Sequence, residues 1–167
     1  MTTITLEPSM KLSQNFTLSE ATRSSTADRL GIINMPDNYD QLRNLIHTAE
    51  RMQLVRSALN NQPINVTSWL RNTALNKAVG GVSNSAHMRG LAVDFNCPRF
   101  GDARAVCRRL VANKEYLNYD QLILEDFPNG AVIHIAFPGM GDVPRRQDLF
   151  TRDLKSYTLL TYEELNK

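Results

Sequence analysis

The ten residues from Ser85 to Asp94 constrain the fold more than any other part of the 167-residue chain. From position 91 onward, polar and apolar residues alternate, which predicts a strand from Leu91 to Asn96 with side chains on alternate faces. One face is apolar and suited to a core, with Leu91, Val93 and Phe95. On the other face a carboxylate, Asp94, follows the small Ala92. The carboxylate is therefore expected to point into a site rather than into packing.

A histidine and a glycine precede this strand and suggest a metal site. His87 lies in the predicted loop, and Gly90 lets the backbone turn sharply. Histidine and aspartate are both suitable zinc ligands. Three histidines are present; His47 is predicted on the surface of a long helix, and His134 lies within an apolar strand where it needs a polar partner. A lone histidine in such a strand is more often a hydrogen-bonded core residue, so these observations alone leave His134 open.

The order of elements predicts an α+β fold in which helices pack on a small antiparallel sheet. The first fifteen residues resemble an extended arm, and Thr17 to Glu20 form a capping-box pattern that begins a helix. The predicted elements are a helix from Tyr39 to Leu59, a helix after Asp102, and strands at 64–67, 91–96, 121–125 and 131–137. The length suits one domain covering 1–167, with a core at about 16–140 and a C-terminal segment that the pattern does not assign.

Composition excludes several classes of protein. The net charge of +2 is too small to indicate a nucleic-acid partner, and no run approaches the roughly 20 apolar residues of a membrane span. Two cysteines, Cys97 and Cys107, are too few for a disulfide framework or a cysteine-built zinc site. They are expected to be small buried thiols, although the sequence does not exclude a disulfide between them.

The stretch from Ser85 to Asp94 fits the pattern S-x-H-x-x-G-x-A-x-D and resembles that of the zinc D-alanyl-D-alanine carboxypeptidases and related phage endolysins. Their wider group includes lysostaphin-type enzymes and the hedgehog signalling domain. The resemblance covers about 11–137. Its other parts are the opening at 11–20, the strand and T-S-x-x-R turn at 66–71, and the approach to the metal loop through Asn76, Gly80-Gly81 and Asn84-Ser85.

The resemblance implies a hedgehog-like or D-Ala-D-Ala-peptidase-like fold and one zinc ion. It also implies that the ligands are His87, Asp94 and His134, with water in an open fourth position. Arg71 would bind a substrate carboxylate, for which a planar guanidinium is suited, and Ser85 would hydrogen-bond the substrate. The implied substrate is the peptide of bacterial peptidoglycan.

At the position of the general base, this sequence departs from the pattern of many relatives. Those relatives carry an acidic residue three positions before the last histidine. Here that position is Ala131. A two-residue turn at Asn129-Gly130 would pair Glu125 with His134 and turn Asp126 to the other face. Glu125 is therefore the predicted base, unless a bulge shifts the alternation in favour of Asp126.

Together with these residues, the resemblance implies zinc-dependent hydrolysis of a peptidoglycan peptide bond by a carboxypeptidase or endopeptidase such as a phage endolysin. The first residues lack the basic start and apolar run of a secretory signal. We therefore expect synthesis in the cytoplasm and action on the cell wall after release or as part of a virion, with virion or other assembly partners. Two alternatives stay open: a non-catalytic zinc-containing cell-wall-binding or virion structural module, and a purely structural metal site. Structural zinc sites usually have four protein ligands, which disfavours the second.

Overall fold

The computed structural model describes residues 6–167. Its helices are α1 (Leu18–Thr22), α2 (Ser25–Leu30), α3 (Tyr39–Ala58), α4 (Thr73–Ala78), α5 (Ala103–Ala112), α6 (Lys114–Leu117) and α7 (Tyr162–Leu165). Its strands are β1 (Asn65–Ser68), β2 (Ala92–Asn96), β3 (Gln121–Phe127), β4 (Gly130–Ala136), β5 (Gln147–Thr151) and β6 (Thr158–Leu159). Among the helices of this described part, none is both long and apolar enough to cross a membrane.

The six strands form one sheet in the order β1-β2-β4-β3-β5-β6. All neighbours are antiparallel except β3 and β5, which run parallel. Helices packed on a mostly antiparallel sheet confirm the predicted α+β class. The parallel pair was not predicted, because β5 and β6 belong to the C-terminal segment that the sequence pattern left unassigned.

The hydrophobic core extends beyond the predicted limits of 16–140. Leu12 is buried before these limits, and Phe150 and Leu165 join the same cluster from the C-terminal segment after them. Residues 6–15 therefore differ from an extended arm, since they fold back against the core; the rest of the predicted arm, 1–5, lies outside the described residues. Burial of the Leu12 side chain holds this segment against the core. The local sequence around Leu12 does not indicate that burial.

The start of α1 follows its sequence pattern. The hydroxyl of Thr17 accepts a hydrogen bond from the backbone N–H of Glu20, and the Glu20 carboxylate accepts one from the backbone N–H of Thr17 at 2.9 Å. These reciprocal bonds satisfy two backbone donors at the helix start. In this position of the helix, the carbonyl of Ala21 accepts a hydrogen bond from the N–H of Leu70, the residue next to Arg71.

Helix α3 is buried along one side and holds the loop that precedes β2. Leu45, Ala49 and Met52 have no exposed surface. Two polar side chains on the same helix, Gln41 and Thr48, are also buried, because they donate hydrogen bonds to the carbonyls of Met88 and Gly90 at 2.7 and 2.9 Å. Buried polar groups are stable only when paired in this way.

The hairpin of β3 and β4 corrects the predicted register. Phe127 pairs with Gly130, so the turn residues are Pro128 and Asn129 rather than Asn129 and Gly130. The predicted pairing of Glu125 with His134 is therefore wrong: Glu125 pairs with Val132 and Asp126 with Ala131. His134 pairs with Ile123. A turn that begins one residue earlier shifts every pair by two residues, which preserves the face of each side chain.

The two cysteines are buried free thiols, as the sequence suggested. Burial raises the pKa of both, that of Cys107 to about 12. Cys97 donates a hydrogen bond to the carbonyl of Pro63.

Candidate metal centre

Two neighbouring strands in the middle of the sheet bring Asp94 and His134 together. Asp94 of β2 lies directly opposite His134 of β4 in the antiparallel ladder. The Nδ1 atom of His134 lies 2.7 Å from Oδ1 of Asp94. His87 approaches from the preceding loop, with its Nε2 atom 3.2 Å from the same oxygen. One ligand atom from each residue lies within 4.8 Å of the others, so a single ion can contact all three.

The ring of His87 is oriented by its other nitrogen. Nδ1 lies 2.7 Å from the carbonyl oxygen of Trp69. A carbonyl only accepts, so Nδ1 carries the proton and Nε2 presents a lone pair. Trp69 is fixed in turn, since its indole N–H donates to the carbonyl of Gly90 at 3.1 Å. A ligand histidine whose second nitrogen donates to a backbone carbonyl is the usual arrangement at protein metal sites.

An orphaned nitrogen atom, buried without a hydrogen-bond partner in the described part of the chain, indicates that His87, Asp94 and His134 fit a zinc ion. Nε2 of His87 is buried and has no hydrogen-bond partner of acceptable geometry among the described residues. Burying such a nitrogen without a partner is costly, and a metal ion at this point would satisfy it. Two imidazole nitrogens and one carboxylate form a donor set that zinc accepts.

Burial and neighbouring side chains keep His87 and Asp94 in the protonation states that bind a metal ion. Burial lowers the pKa of His87, so its imidazole is neutral at neutral pH despite the opposing effect of Asp94. Burial alone would raise the pKa of Asp94, but the neighbouring His87 and His134 hold it well below its ordinary value. A neutral imidazole and an ionised carboxylate are the ligand forms required.

Gly90 is required where the metal loop passes beneath α3. Its φ of +75° lies in the left-handed region, and a Cβ atom there would be 3.0 Å from Cδ2 of Leu45 and 3.3 Å from the carbonyl oxygen of Gln41. Both the backbone conformation and the close approach disfavour a larger residue. The N–H of Gly90 also donates to the carbonyl of His87, which closes the turn behind the ligand.

Arg71 lies in the wall of the same cavity with unused hydrogen-bonding capacity. Asn34 fixes its neighbours, accepting from the N–H of Asn72 and donating to the carbonyl of Leu70. The N–H of Arg71 donates to the carbonyl of His87 at 3.2 Å. Its Nε is buried and has no partner within residues 6–167. Burial lowers the pKa of Arg71, against the opposing charges of Asp94 and Glu125, yet a guanidinium remains charged.

Glu125 faces the metal site despite the shift in register. It lies two residues beyond Ile123, the partner of His134, and therefore on the same face of β3. Burial and then the charge of Asp94 raise the pKa of Glu125 to about 7. Asp126 lies on the opposite face, where Arg104 binds its carboxylate at 2.9 Å.

A cavity of about 950 Å³ joins these groups, and Ser85 completes its inner surface. The Ser85 hydroxyl accepts a hydrogen bond from the N–H of His87 at 3.3 Å, which leaves its own proton to donate. The cavity is lined by the three metal-ligand candidates and the other predicted site residues: Arg71, Ser85, His87, Asp94, Glu125 and His134.

Three supporting residues were missed from the sequence. His47 was predicted on the surface but is half-buried, with Nε2 3.1 Å from the carbonyl oxygen of Pro138 in the cavity wall. Gln41 and Thr48 hold the metal loop, as described above. A signal was available for Gln41 and Thr48, which lie seven residues apart and on the same face of α3 as its buried apolar positions.

In this α+β domain, two histidines and a carboxylate converge in a large cavity. This arrangement defines a class of metal-binding domain in which the protein supplies three metal ligands and leaves the fourth coordination position open to water or substrate. The chain belongs to the Peptidase M15 family, whose pattern it matches over residues 14–122. This confirms the resemblance seen in the sequence. The matched range includes Arg71, His87 and Asp94 and ends before Glu125 and His134.

One curated relative is the zinc D-Ala-D-Ala carboxypeptidase of Streptomyces albus G. The two are 40% identical over 52 residues, which is 31% of this chain and 20% of that protein. The match thus spans about a fifth of the relative's length, and it supports the family rather than the full activity of that protein.

Proposed function

We propose that this protein is a zinc-dependent peptidase that hydrolyses a peptide bond in the peptide of bacterial peptidoglycan. The observation that carries the proposal is the orphaned Nε2 of His87, beside Asp94 and His134 in a cavity that also contains an acid and an arginine. A purely structural metal site does not need a cavity of about 950 Å³. The family and the name of the curated relative support both zinc and this class of substrate.

The metal would be held by Nε2 of His87, a carboxylate oxygen of Asp94 and Nδ1 of His134. When bound, zinc supplies Lewis acidity, which polarises the scissile carbonyl and makes a water molecule more acidic.

Glu125 is the proposed general base and then general acid. Its carboxylate accepts a proton from the attacking water and returns it to the leaving amine as the peptide bond breaks. In the metal-free protein, burial and then the charge of Asp94 raise the pKa of this carboxyl to about 7, and a group that titrates near neutral pH exchanges its proton readily. The opposite strand face of Asp126 and its bond to Arg104 argue against this role for Asp126.

Arg71 and Ser85 would orient the substrate. The buried, unpartnered Nε of Arg71 is available to a carboxylate, which a guanidinium binds through two parallel hydrogen bonds. The hydroxyl of Ser85 would donate to the peptide. A carboxylate held beside the scissile bond fits either a carboxypeptidase acting on a chain terminus or an endopeptidase acting near a side-chain carboxylate. Both are compatible with a phage endolysin.

Digestion of purified peptidoglycan, followed by mass spectrometry of the released fragments, tests this proposal. The protein should release defined peptide fragments, and a chelator should abolish their release until zinc is restored. The masses distinguish loss of a terminal residue from cleavage within the peptide. Binding of peptidoglycan without chelator-sensitive cleavage by fully zinc-loaded protein would establish the non-catalytic binding module instead.

A further inference from the structure

Exposed apolar side chains gather at the mouth of the cavity. Five large hydrophobic residues line it with exposed fractions between 43% and 86%: Val79, Val82, Val143, Leu154 and Tyr157. Single exposed apolar residues are common on protein surfaces and need no explanation. Five of them around one cavity instead indicate a surface that contacts a ligand.

Tyr157 and Leu154 belong to a C-terminal loop that lies next to the proposed base. In the parallel pairing of β3 with β5, Glu125 lies opposite Thr151, and the loop begins there. This loop, 152–157, lies beyond the part of the chain matched by the family. The wall it forms is therefore a feature of this chain that the family match does not describe.

Local hydrogen bonds give the loop a defined conformation. The hydroxyl of Thr151 accepts from the N–H of Leu154 at 3.1 Å. The carboxylate of Asp153 accepts from the N–H groups of Lys155 and Ser156, both at 2.8 Å. Leu154 has a φ of +57°, an unusual conformation for a residue with a side chain. A loop fixed in this way can present Tyr157 at a constant position.

The side chain of Tyr157 is available to a ligand. Tyr157 is 46% exposed and lies outside the hydrophobic core cluster. Within the described part of the chain its hydroxyl donates one hydrogen bond, to the carbonyl of Leu154 at 3.3 Å, which is long for an O–H donor. Burial and then the charge of Glu125 raise the pKa of Tyr157, so the hydroxyl keeps its proton and remains a donor.

We propose that Tyr157 is a substrate-binding residue on the Glu125 side of the cleft. Its ring contacts the small apolar side chains of the bound peptide, and its hydroxyl donates a hydrogen bond to a peptide carbonyl. Amphipathic aromatic side chains suit this purpose because they combine a large apolar surface with a polar end. This inference rests on the proposed function, since it requires a peptide in the cavity.

Two variants of Tyr157 and one matched control test the inference. Tyr157→Phe removes the hydroxyl, and Tyr157→Leu keeps apolar bulk without the ring. Tyr162→Phe is the control, because Tyr162 is 82% exposed and does not line the cavity. For each variant, kcat and KM are measured on a synthetic peptidoglycan peptide. The Kd of the same peptide is measured by calorimetry in a Glu125→Gln background, where the peptide is not consumed. Zinc content and melting temperature are measured in parallel.

Loss of one hydrogen bond should raise KM and Kd about 2- to 10-fold in Tyr157→Phe, with kcat, zinc content and melting temperature unchanged. Tyr157→Leu should show a larger increase, and Tyr162→Phe none. If the wild-type protein binds and cleaves the peptide and both Tyr157 variants match the control, the inference is overturned and the proposed function stands. If wild-type protein neither cleaves nor binds any peptidoglycan peptide, the proposed function fails and the role of Tyr157 fails with it.

Discussion

Replacement of Gly90 by alanine should destabilise the protein through two separable effects. A residue with a Cβ atom costs about 1–2 kcal/mol in the left-handed backbone region, where Gly90 has a φ of +75°. The new methyl group would also lie 3.0 Å from Leu45, and overpacking of this kind costs about 1–3 kcal/mol. Together they predict a loss of about 2–5 kcal/mol in the free energy of unfolding, a large share of the roughly 5–15 kcal/mol typical of a domain.

Gly80 provides a matched control for the backbone effect. Its φ is +69°, and a Cβ atom there would meet nothing within 4 Å among the described residues. Gly80→Ala should therefore show only the backbone cost of about 1–2 kcal/mol. Both alanines restrict the unfolded chain by a similar amount, about 0.4–1 kcal/mol, which cancels in the comparison. Gly90→Ala should thus be about 1–3 kcal/mol less stable than Gly80→Ala.

Urea unfolding of both metal-free variants measures this difference, and thermal unfolding should show an additional fall of about 2–4 °C for each kcal/mol. Gly90→Ala should also bind zinc more weakly than Gly80→Ala, because the displaced turn carries His87. Equal losses of stability in the two variants would refute the argument, since they would show that Leu45 yields to the added methyl group at no measurable cost.

Further predictions concern the site itself. Zinc content measured by atomic emission should fall severely in His87→Ala, which leaves two ligands, and stay near one ion per chain in His47→Ala; equal losses would exclude the proposed ligands. Arg71→Ala should raise KM or lower turnover at full zinc occupancy, and Arg71→Lys should recover only part of this because an ammonium cannot form two parallel bonds; wild-type kinetics in Arg71→Ala would remove it from the site. Glu125→Gln should lower kcat by roughly 10²–10⁴-fold with zinc retained, whereas Asp126→Asn should change it little; the reverse pattern would contradict the register. In metal-free protein, the pKa of Glu125 is raised from 4.5 to about 7, so the folded state keeps a proton that the unfolded chain releases. The contribution of Glu125 to the free energy of unfolding is thus fully present below pH 4.5 and is lost as the pH rises toward 7. Glu125→Gln should reduce that loss when urea unfolding is measured across this pH range. An unchanged pH dependence in the variant would argue against a buried carboxyl.

The parts of the site that depend on alternation could be predicted from sequence. In a strand the side chains alternate strictly, so Asp94 had to face away from Val93 and Phe95. The same rule placed Glu125 on the face of His134, even though the predicted pair was wrong. Register depends on where the turn begins, and the tip of the hairpin contains several residues suited to turns.

The parts that depend on distant contacts could not be predicted in the same way. His47 is fixed by the carbonyl of Pro138, which lies 91 positions away in the chain. The loop of Tyr157 is placed by the parallel pairing of β5 with β3, and a strand of five residues gives little indication of its partner. Local propensity does not contain this information, because tertiary packing selects among several acceptable pairings.

The parallel pairing of β5 with β3 also has a consequence for synthesis. Thr151 lies beside Glu125, and Leu165 is buried in the shared core, so the cleft depends on residues that are translated after the three metal ligands. While these residues are still inside the exit tunnel of the ribosome, earlier segments can already begin to fold. The nascent protein can therefore gather its three metal ligands before it completes the wall of the cleft, and a competent site is expected only after the segment through Leu165 has emerged from the ribosome.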